Sequence, residues 1–403
     1  MRKPVIGLGF ALGLALTGLT TTLTTTAAEA DPVVRLHPQK VCADASSPLV
    51  AVCHARVMTD KKGAVPTADA PPPGALTPSD VRSAYDLPAT GGTGRTVAIV
   101  DAFGYPNLER DLAVYRTEFG LPACTVADGC LRVIDQDGGT KAPHFDAGWG
   151  LETALDADAV SAACPTCSIL VVQAKSDAFK NLSIAVATAA TQPGVVAISN
   201  SYGFGDLSEA TYGAPWDHPG IAVTASTGDS GYQGASFPAS SSKVVAVGGT
   251  TLTSATSTAR GWTETAWSGA GSGCSATNPA LAAAASYDTG CANRAIADVA
   301  AAADPTAGGL AVYYPVSSKA STWATVGGTS EASPIIAAVY ALSGNTGGPG
   351  VYANALPYAA NGSGLNDVTE GSNGTCSTAQ WCSARSGWDG PTGVGTPDGL
   401  SAF

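Results

Sequence analysis

The chain has 403 residues, with 20 Lys and Arg against 32 Asp and Glu, a formal net charge of -12 at pH 7. An acidic chain without basic clusters is a poor nucleic-acid binder. Charged residues are 13% of the chain, against roughly 25% in ordinary domains. Low charge density limits self-repulsion when carboxylates protonate, so acidic surroundings are tolerable.

At the N-terminus, Arg2 and Lys3 precede an apolar run from Val5 to Leu19, and a Thr-rich stretch leads to Ala28-Glu29-Ala30. This pattern predicts a signal peptide over 1–30 and a secreted, extracellular protein starting near Asp31. The run is short for a spanning helix, and no later segment is long and apolar enough to span. Residues 31–75 read as a weakly structured, propeptide-like leader that includes the Pro-rich linker Ala64–Pro73. All ten cysteines follow residue 30 and fall into near neighbours. In an exported chain they read as disulfides: Cys42–Cys53, Cys124–Cys130, Cys164–Cys167, Cys274–Cys291 and Cys376–Cys382. A zinc site on Cys164-x-x-Cys167 lacks the second CxxC or HxxxH that would complete it.

From Leu76 onward the pattern is that of one large α/β domain, 76–403. Thr96–Val100 reads as a buried parallel strand by its continuous apolar character. Asn107–Phe119 has helical spacing, Glu152–Ala163 is a second helix and Ser168–Ala174 a second strand. Leu182–Thr191 reads as helix, and Gly194–Ser199, Ile221–Ala225 and Lys243–Val247 as strands, before the helix Ala332–Ser343. Strands alternating with helices predict a mostly parallel sheet with helices on both faces.

Three segments carry candidate chemistry. In Gly327-Gly-Thr-Ser-Glu-Ala-Ser-Pro334, Ser330 sits where a glycine-rich turn leads into a helix, and helix N-terminal N–H groups favour nearby negative charge. An ordinary cap by Thr329 or Ser330 would look the same. The G-x-S-x-G elbow would need Gly at 332, where the chain has Ala332. A serine nucleophile needs a base, yet His37 and His54 lie in the leader, and His144 and His218 sit in loops without a catalytic signature. In Gly150-Leu-Glu-Thr-Ala-Leu-Asp156, Glu152 and Asp156 are four apart and share one helix face. A solvated acidic face is the ordinary reading of such a pair, but Ala157–Ala163 is mostly small and apolar, which points to a packed helix. Asp229, in Ser226-Thr-Gly-Asp-Ser-Gly231, follows a predicted strand, at the kind of edge where parallel sheets build sites. It is equally an ordinary turn residue beside Gly.

Gly-Thr-Ser330, the Glu152-x-x-x-Asp156 helix and the Thr-Gly-Asp229-Ser-Gly loop, in this order and without a histidine partner, resemble the sedolisins, the serine-carboxyl peptidases. The resemblance runs from about Leu76 to the C-terminus. It implies a subtilisin-like α/β fold and hydrolysis of peptide bonds in acid through an acyl-enzyme. By position, Ser330 would be the nucleophile, Glu152 its general base, Asp156 the residue orienting Glu152, and Asp229 the donor to the oxyanion. A carboxyl group with a pKa of roughly 4 can act as base where an imidazole, at about 6.5, is already protonated. Asp101, where subtilisins carry their aspartate, reads as structural. Asn366-Asp-Val368, Ser386-Gly-Trp-Asp389 and Thr392–Pro397 resemble the family's calcium loop. Asp367 and Asp389 would give carboxylates, and Val368, Arg385 and Gly387 carbonyls. Arg385 stands where many relatives have glycine. Ser199, Ser201, Tyr202 and Gly203 resemble the edge that binds peptide backbones. Expected partners are polypeptide substrates, with no nucleic acid, no membrane and a monomeric chain. Endopeptidase action is favoured; the alternatives are a tripeptidyl exopeptidase and a catalytically silent, calcium-stabilised binding protein.

Overall fold

The computed structural model describes residues 1, 4, 6, 7, 9–11 and 35–403, in two units, 1–35 and 36–403. The signal-peptide reading therefore lies largely outside the described residues. The described residues of the first unit carry no helix or strand, and no helix among the described residues is long and apolar enough to cross a membrane.

In chain order the strands are β1 (His37–Lys40), β2 (Val52–Cys53), β3 (Arg56–Thr59), β4 (Thr96–Ala102), β5 (Leu131–Asp135), β6 (Ser168–Ala174), β7 (Val195–Asn200), β8 (Tyr202–Gly203) and β9 (Ala222–Ser226). They continue with β10 (Val245–Ser254), β11 (Trp262–Ala266), β12 (Gly273–Cys274), β13 (Ala295–Ile296), β14 (Val299–Ala302), β15 (Leu310–Ser317), β16 (Ala320–Gly327), β17 (Leu365–Asn366) and β18 (Thr396–Pro397). The helices are α1 (Pro78–Ala84), α2 (Leu108–Glu118), α3 (Ala147–Ala163), α4 (Phe179–Ala190), α5 (Glu209–Tyr212), α6 (Thr329–Ser343) and α7 (Ala355–Ala359).

The central sheet runs β11-β10-β9-β7-β4-β6-β5, with β14 also paired to β10. Every pair in it is parallel except β10–β11. Every residue of β4 is buried, as a strand covered on both faces requires. Successive side chains point to opposite faces. Val97 and Ile99 join a core shared with α3 and α6, while Ala98 and Val100 join one shared with Leu182 and Val186 of α4. The chain thus has the subtilisin-like α/β arrangement, and the sequence places its central strands correctly. All five neighbouring cysteine pairs are bonded.

The leader is more ordered than its composition suggests. Residues 37–59 carry three strands, and β1 and β3 extend a four-stranded sheet in the order β1-β3-β16-β15. β2 pairs antiparallel with β8, Val52 opposite Gly203 and Cys53 opposite Tyr202. The order comes from backbone pairing with distant strands, which local composition does not report.

Candidate active site

Two helices deliver the central side chains. α3 begins at Ala147, earlier than the sequence suggests, because the Asp146 carboxylate caps it by accepting from the Trp149 N–H (3.0 Å). Residues 149–163 of α3 are all buried, so Glu152 and Asp156 are not a solvated face. α6 begins at Thr329, placing Ser330 in its first turn, and residues 329–342 are buried on every side. Pro334 has no N–H to give to the carbonyl of residue 330. That carbonyl instead receives a long contact from the Ser201 hydroxyl (3.4 Å).

The Ser330 hydroxyl donates to the Ser201 carbonyl (3.0 Å), and the Ser201 hydroxyl donates to Asp156 Oδ1 (2.8 Å). With the Ser330 hydroxyl so engaged, neither oxygen of buried Glu152 has a hydrogen-bond partner. Burial pushes the Glu152 pKa well above the usual carboxylate range, Asp156 and then Asp101 push it further, and the nearby Ser330 hydroxyl opposes them. Burial, then Asp101, likewise holds Asp156 high, against the Ser201 bond.

Asp101, read from the sequence as structural, is therefore a third carboxylate acting on the pair. It is fully buried with neither oxygen hydrogen-bonded, and burial pushes its pKa up to about 7. The Thr153 hydroxyl, which donates to the Trp149 carbonyl (2.9 Å), opposes that shift. The signal missed in the sequence is an Asp inside a wholly apolar buried strand.

Asp229 follows β9 at the carboxyl end of the sheet. Its Oδ1 accepts from the Thr329 N–H (2.8 Å) and hydroxyl (3.1 Å), tying it to the residue before Ser330. Its buried Oδ2 has no hydrogen-bond partner. Burial pushes the Asp229 pKa up to about 7, against the Thr329 bonds and the Arg56 charge. Gly328, at φ +114°, turns the chain into α6; a Cβ there would overlap both Asp229 Oδ2 and the His54 carbonyl oxygen. Glycine is thus required for both backbone angle and space.

The leader occupies this place. The Ser330 N–H donates to the His54 carbonyl (3.0 Å), and the His54 N–H donates to the Ser201 carbonyl (3.1 Å). The His54 imidazole meets the Ser226 hydroxyl through Nδ1 (2.8 Å) rather than Ser330. Burial, and secondarily the Arg56 charge, lowers its pKa to about 4 against the Ser226 contact. His144 packs on the Phe103 ring and His218 bonds the Pro215 carbonyl (2.8 Å). The leader lies along a cleft of about 570 Å³ whose other wall includes Gly203, Thr227, Asp229 and Ser236.

Of the predicted peptide-binding edge, Ser201, Tyr202 and Gly203 face this leader strand. Ser199 does not: its hydroxyl lies against that of Ser333 beneath α6 (3.0 Å).

The predicted calcium residues also converge. Asp367 Oδ2 accepts from the Ser386 hydroxyl (3.0 Å) and the Gly387 N–H (3.1 Å). Asp389 Oδ2 accepts from the Arg385 N–H (3.1 Å). Burial raises the Asp389 pKa to about 7, with Asp367 adding repulsion. The Arg385 guanidinium turns away, to the Trp388 and Asp288 carbonyls (3.2 Å each). Among the described residues, no hydrogen bond uses the carbonyl oxygens of Val368, Arg385 or Gly387. Two facing carboxylates with free carbonyls form a hard-oxygen donor set. No group of three or more His, Cys, Asp or Glu among the described residues could hold a metal.

The buried carboxylates tie stability to pH. A carboxyl whose folded pKa lies above its unfolded value stabilises the fold when protonated, and that stabilisation is lost as pH rises through the folded pKa. For Asp101 the window runs from about 4 to about 7. Asp101→Asn is expected to gain on the wild type by about 1.4 kcal/mol per pH unit across it. Denaturant unfolding at pH 4, 5.5 and 7 checks this; a pH-independent difference would contradict it.

Fold and site together define a subtilisin-like chain whose helix-borne serine stands beside buried carboxylates in place of a histidine. No protein-family profile matches the chain. Kumamolisin from Bacillus sp. (strain MN-32) is 32% identical over 363 residues, spanning 81% of this chain. The chain spans about 63% of the length of that curated relative. Among solved structures, Pseudomonas sedolisin (serine-carboxyl proteinase), complexed with two molecules of pseudo-iodotyrostatin, superposes with a TM-score of 0.67 at 24% identity. That likeness covers 83% of this chain and 96% of the other. In sequence the chain is thus similar to kumamolisin, and in fold to Pseudomonas sedolisin.

Proposed function

We propose that the protein is a secreted serine-carboxyl peptidase that hydrolyses polypeptides at acidic pH, as an endopeptidase, through an acyl-enzyme. The observation that carries this reading is the backbone carbonyl of His54, held by the Ser330 N–H beside the unpartnered Asp229 Oδ2. In this reading Ser330 attacks such a carbonyl. Its hydroxyl turns from the Ser201 carbonyl to Glu152, which takes the proton. Asp156, fixed by Ser201, orients Glu152 and with Asp101 raises its basicity. Asp229, protonated in acid, joins the Ser330 N–H in donating to the oxyanion. Glu152 then gives its proton to the leaving amine, and water releases the acyl group by the reverse steps.

Three like charges in one buried cluster cannot all ionise, so Asp101, Glu152 and Asp156 share protons through the acid range. The base requires one ionised carboxylate there, while the oxyanion donor requires protonated Asp229. Activity on denatured protein is therefore expected to fall as pH rises through about 7, where Asp229 loses its proton. A kcat/KM profile from pH 3 to 8 tests this; a rate still climbing above pH 7 would rule the reading out.

Endopeptidase action is favoured over removal of tripeptides because the leader continues through the cleft beyond three residues upstream of the held carbonyl. Ala51 donates to the Asp177 carbonyl (2.9 Å), and Val50 bridges Ala178. The silent-binder alternative predicts a broken catalytic set, whereas all four positions are filled.

In the same reading a calcium ion is held by Asp367, Asp389 and the carbonyls of Val368, Arg385 and Gly387. It would neutralise two facing carboxylates and fasten the loop over 385–389; it has no part in the bond-breaking steps. Exhaustive chelation is then expected to lower Tm by several degrees, and readdition of calcium to restore it. An unchanged Tm by calorimetry would remove the site.

A further inference from the structure

We propose that Arg56 is a positioning residue for the oxyanion donor: one of its nitrogens fixes the backbone of the loop that carries Asp229, and its charge beside Asp229 Oδ2 governs when that oxygen holds a proton. The proposal rests on the peptidase reading above, in which Asp229 donates to the oxyanion, and adds to it a residue 173 positions away in the chain.

Arg56 opens β3, and that strand is paired along both edges. Arg56 lies opposite Lys40 of β1 on one side and Gly327 of β16 on the other. Gly327 and Gly328 lead into α6, so Arg56 stands beside the turn that delivers Ser330. Its guanidinium donates through Nη2 to the Asp229 backbone carbonyl. Nε stands 3.9 Å from Asp229 Oδ2, and the side chain is only 20% exposed. Among the described residues, no other carboxylate pairs with Arg56.

Both facing atoms are short of partners. Arg56 Nε and Asp229 Oδ2 are buried and make no hydrogen bond, while Oδ1 is taken by the Thr329 N–H and hydroxyl. Oδ2 is therefore the oxygen left to carry the donated proton. It shares one small space with the His54 carbonyl oxygen: a Cβ on Gly328 would fall 2.5 Å from the first and 2.1 Å from the second. The guanidinium thus acts on an oxygen that faces the place where negative charge develops.

The charge works in two directions. A cation beside a carboxyl favours the ionised form, so Arg56 opposes the burial that keeps Asp229 protonated, and lowers activity toward neutral pH. In acid the effect reverses. A carboxyl that holds its proton less tightly is a stronger hydrogen-bond donor, and a fixed positive charge near the oxyanion adds to the preorganised field. The other groups around Asp229 do not replace it. Lys40, on β1, acts on Asp229 more weakly, and its ammonium is bonded to Asp44 in solvent (2.6 Å). Glu152, on α3, is an acid, and α6 supplies the Thr329 N–H and hydroxyl. The His54 imidazole, under the same Arg56 charge, is neutral above about 4. A plain strut would behave differently: its loss would lower Tm and leave the pH profile in place.

The test uses the full chain as wild type, Arg56→Gln and Arg56→Lys, with folding checked by circular dichroism and intact mass taken on each assayed sample. Two readouts are followed from pH 3 to 8: the carbon-13 carboxyl resonance of Asp229, assigned by its loss in Asp229→Asn, and the rate on denatured protein. In Arg56→Gln the Asp229 titration and the neutral limb of kcat/KM are both expected to move up by about one pH unit. In the same variant kcat at pH 4 is expected to fall about tenfold, with KM unchanged. Arg56→Lys keeps the charge and loses the planar fork; it should keep the wild-type limb with a reduced kcat. An unmoved Asp229 titration in Arg56→Gln overturns the proposal and leaves the peptidase reading standing. A titration that moves while the limb stays in place shows that the limb does not belong to Asp229, and overturns both. If Arg56→Gln does not fold, Arg56→Lys decides: a displaced limb or a wild-type kcat overturns the proposal. An active species whose mass excludes Arg56, yet whose limb is that of the full chain, overturns it as well.

Discussion

Ser330→Ala is expected to lower kcat/KM on denatured protein by about 10⁴-fold to 10⁶-fold, the range seen when a serine peptidase loses its nucleophile. The change removes one hydroxyl, whose single hydrogen bond is to the Ser201 carbonyl. One such bond contributes about 1 kcal/mol to stability, so the variant should fold and melt close to the wild type. The Ser330 N–H survives the substitution, as do Asp229, Glu152 and Asp156. Any residual rate then measures what oxyanion stabilisation and binding accomplish without the nucleophile. The measurement is kcat/KM at pH 4, normalised to folded protein. A loss below tenfold would mean that the serine in the first turn of α6 is not the nucleophile.

Glu152→Gln comes next in size, at about 10⁴-fold in kcat with little change in KM. Glutamine keeps the shape and loses the proton acceptor. Glu152 stands behind Ser330, and the cleft lining does not include it, so ground-state binding should be spared. Adding Glu152→Gln to Ser330→Ala should cost almost nothing more, because the pair acts as one unit. The same substitution removes a buried acid whose pKa is held high by burial, then by Asp156 and Asp101. It should therefore stabilise the fold at neutral pH, while leaving it near the wild type at pH 4. A structural role for Glu152 predicts the opposite: a lower Tm, and a kcat that recovers when the assay is cooled. Urea unfolding at both pH values separates the two.

Much of the frame is legible in local sequence. Thr96–Val100 and Ser168–Ala174 announce buried strands because a strand covered on both faces is apolar throughout, and both fall where the structure has β4 and β6. Helix starts are less legible. α3 begins at the Asp146 cap, upstream of the apolar run, and α6 begins at Thr329 rather than Ala332. A cap is one side chain bonding one N–H, which composition hardly registers. Among site residues, Ser330 and Asp229 lie in glycine-rich turns whose spacing is visible. Ser199 resembles part of the peptide-binding edge in sequence, whereas in the structure its hydroxyl lies against that of Ser333.

By itself the sequence determined which chemical groups are available. It holds a serine at a glycine-rich helix start, two acids one helical turn apart, an aspartate after a strand, and no histidine in a catalytic setting. Those statements are local, because spacing along one helix or turn fixes them. Only the tertiary structure decided what the groups do to one another. It buries Asp101, Glu152 and Asp156 together, so that each resists ionising, and it leaves Asp229 Oδ2 unpartnered beside a carbonyl. It also lays His54, more than 270 positions from Ser330 in the chain, across that serine. Charge coupling and strand addition depend on distances of a few ångströms between segments that sequence separation does not encode.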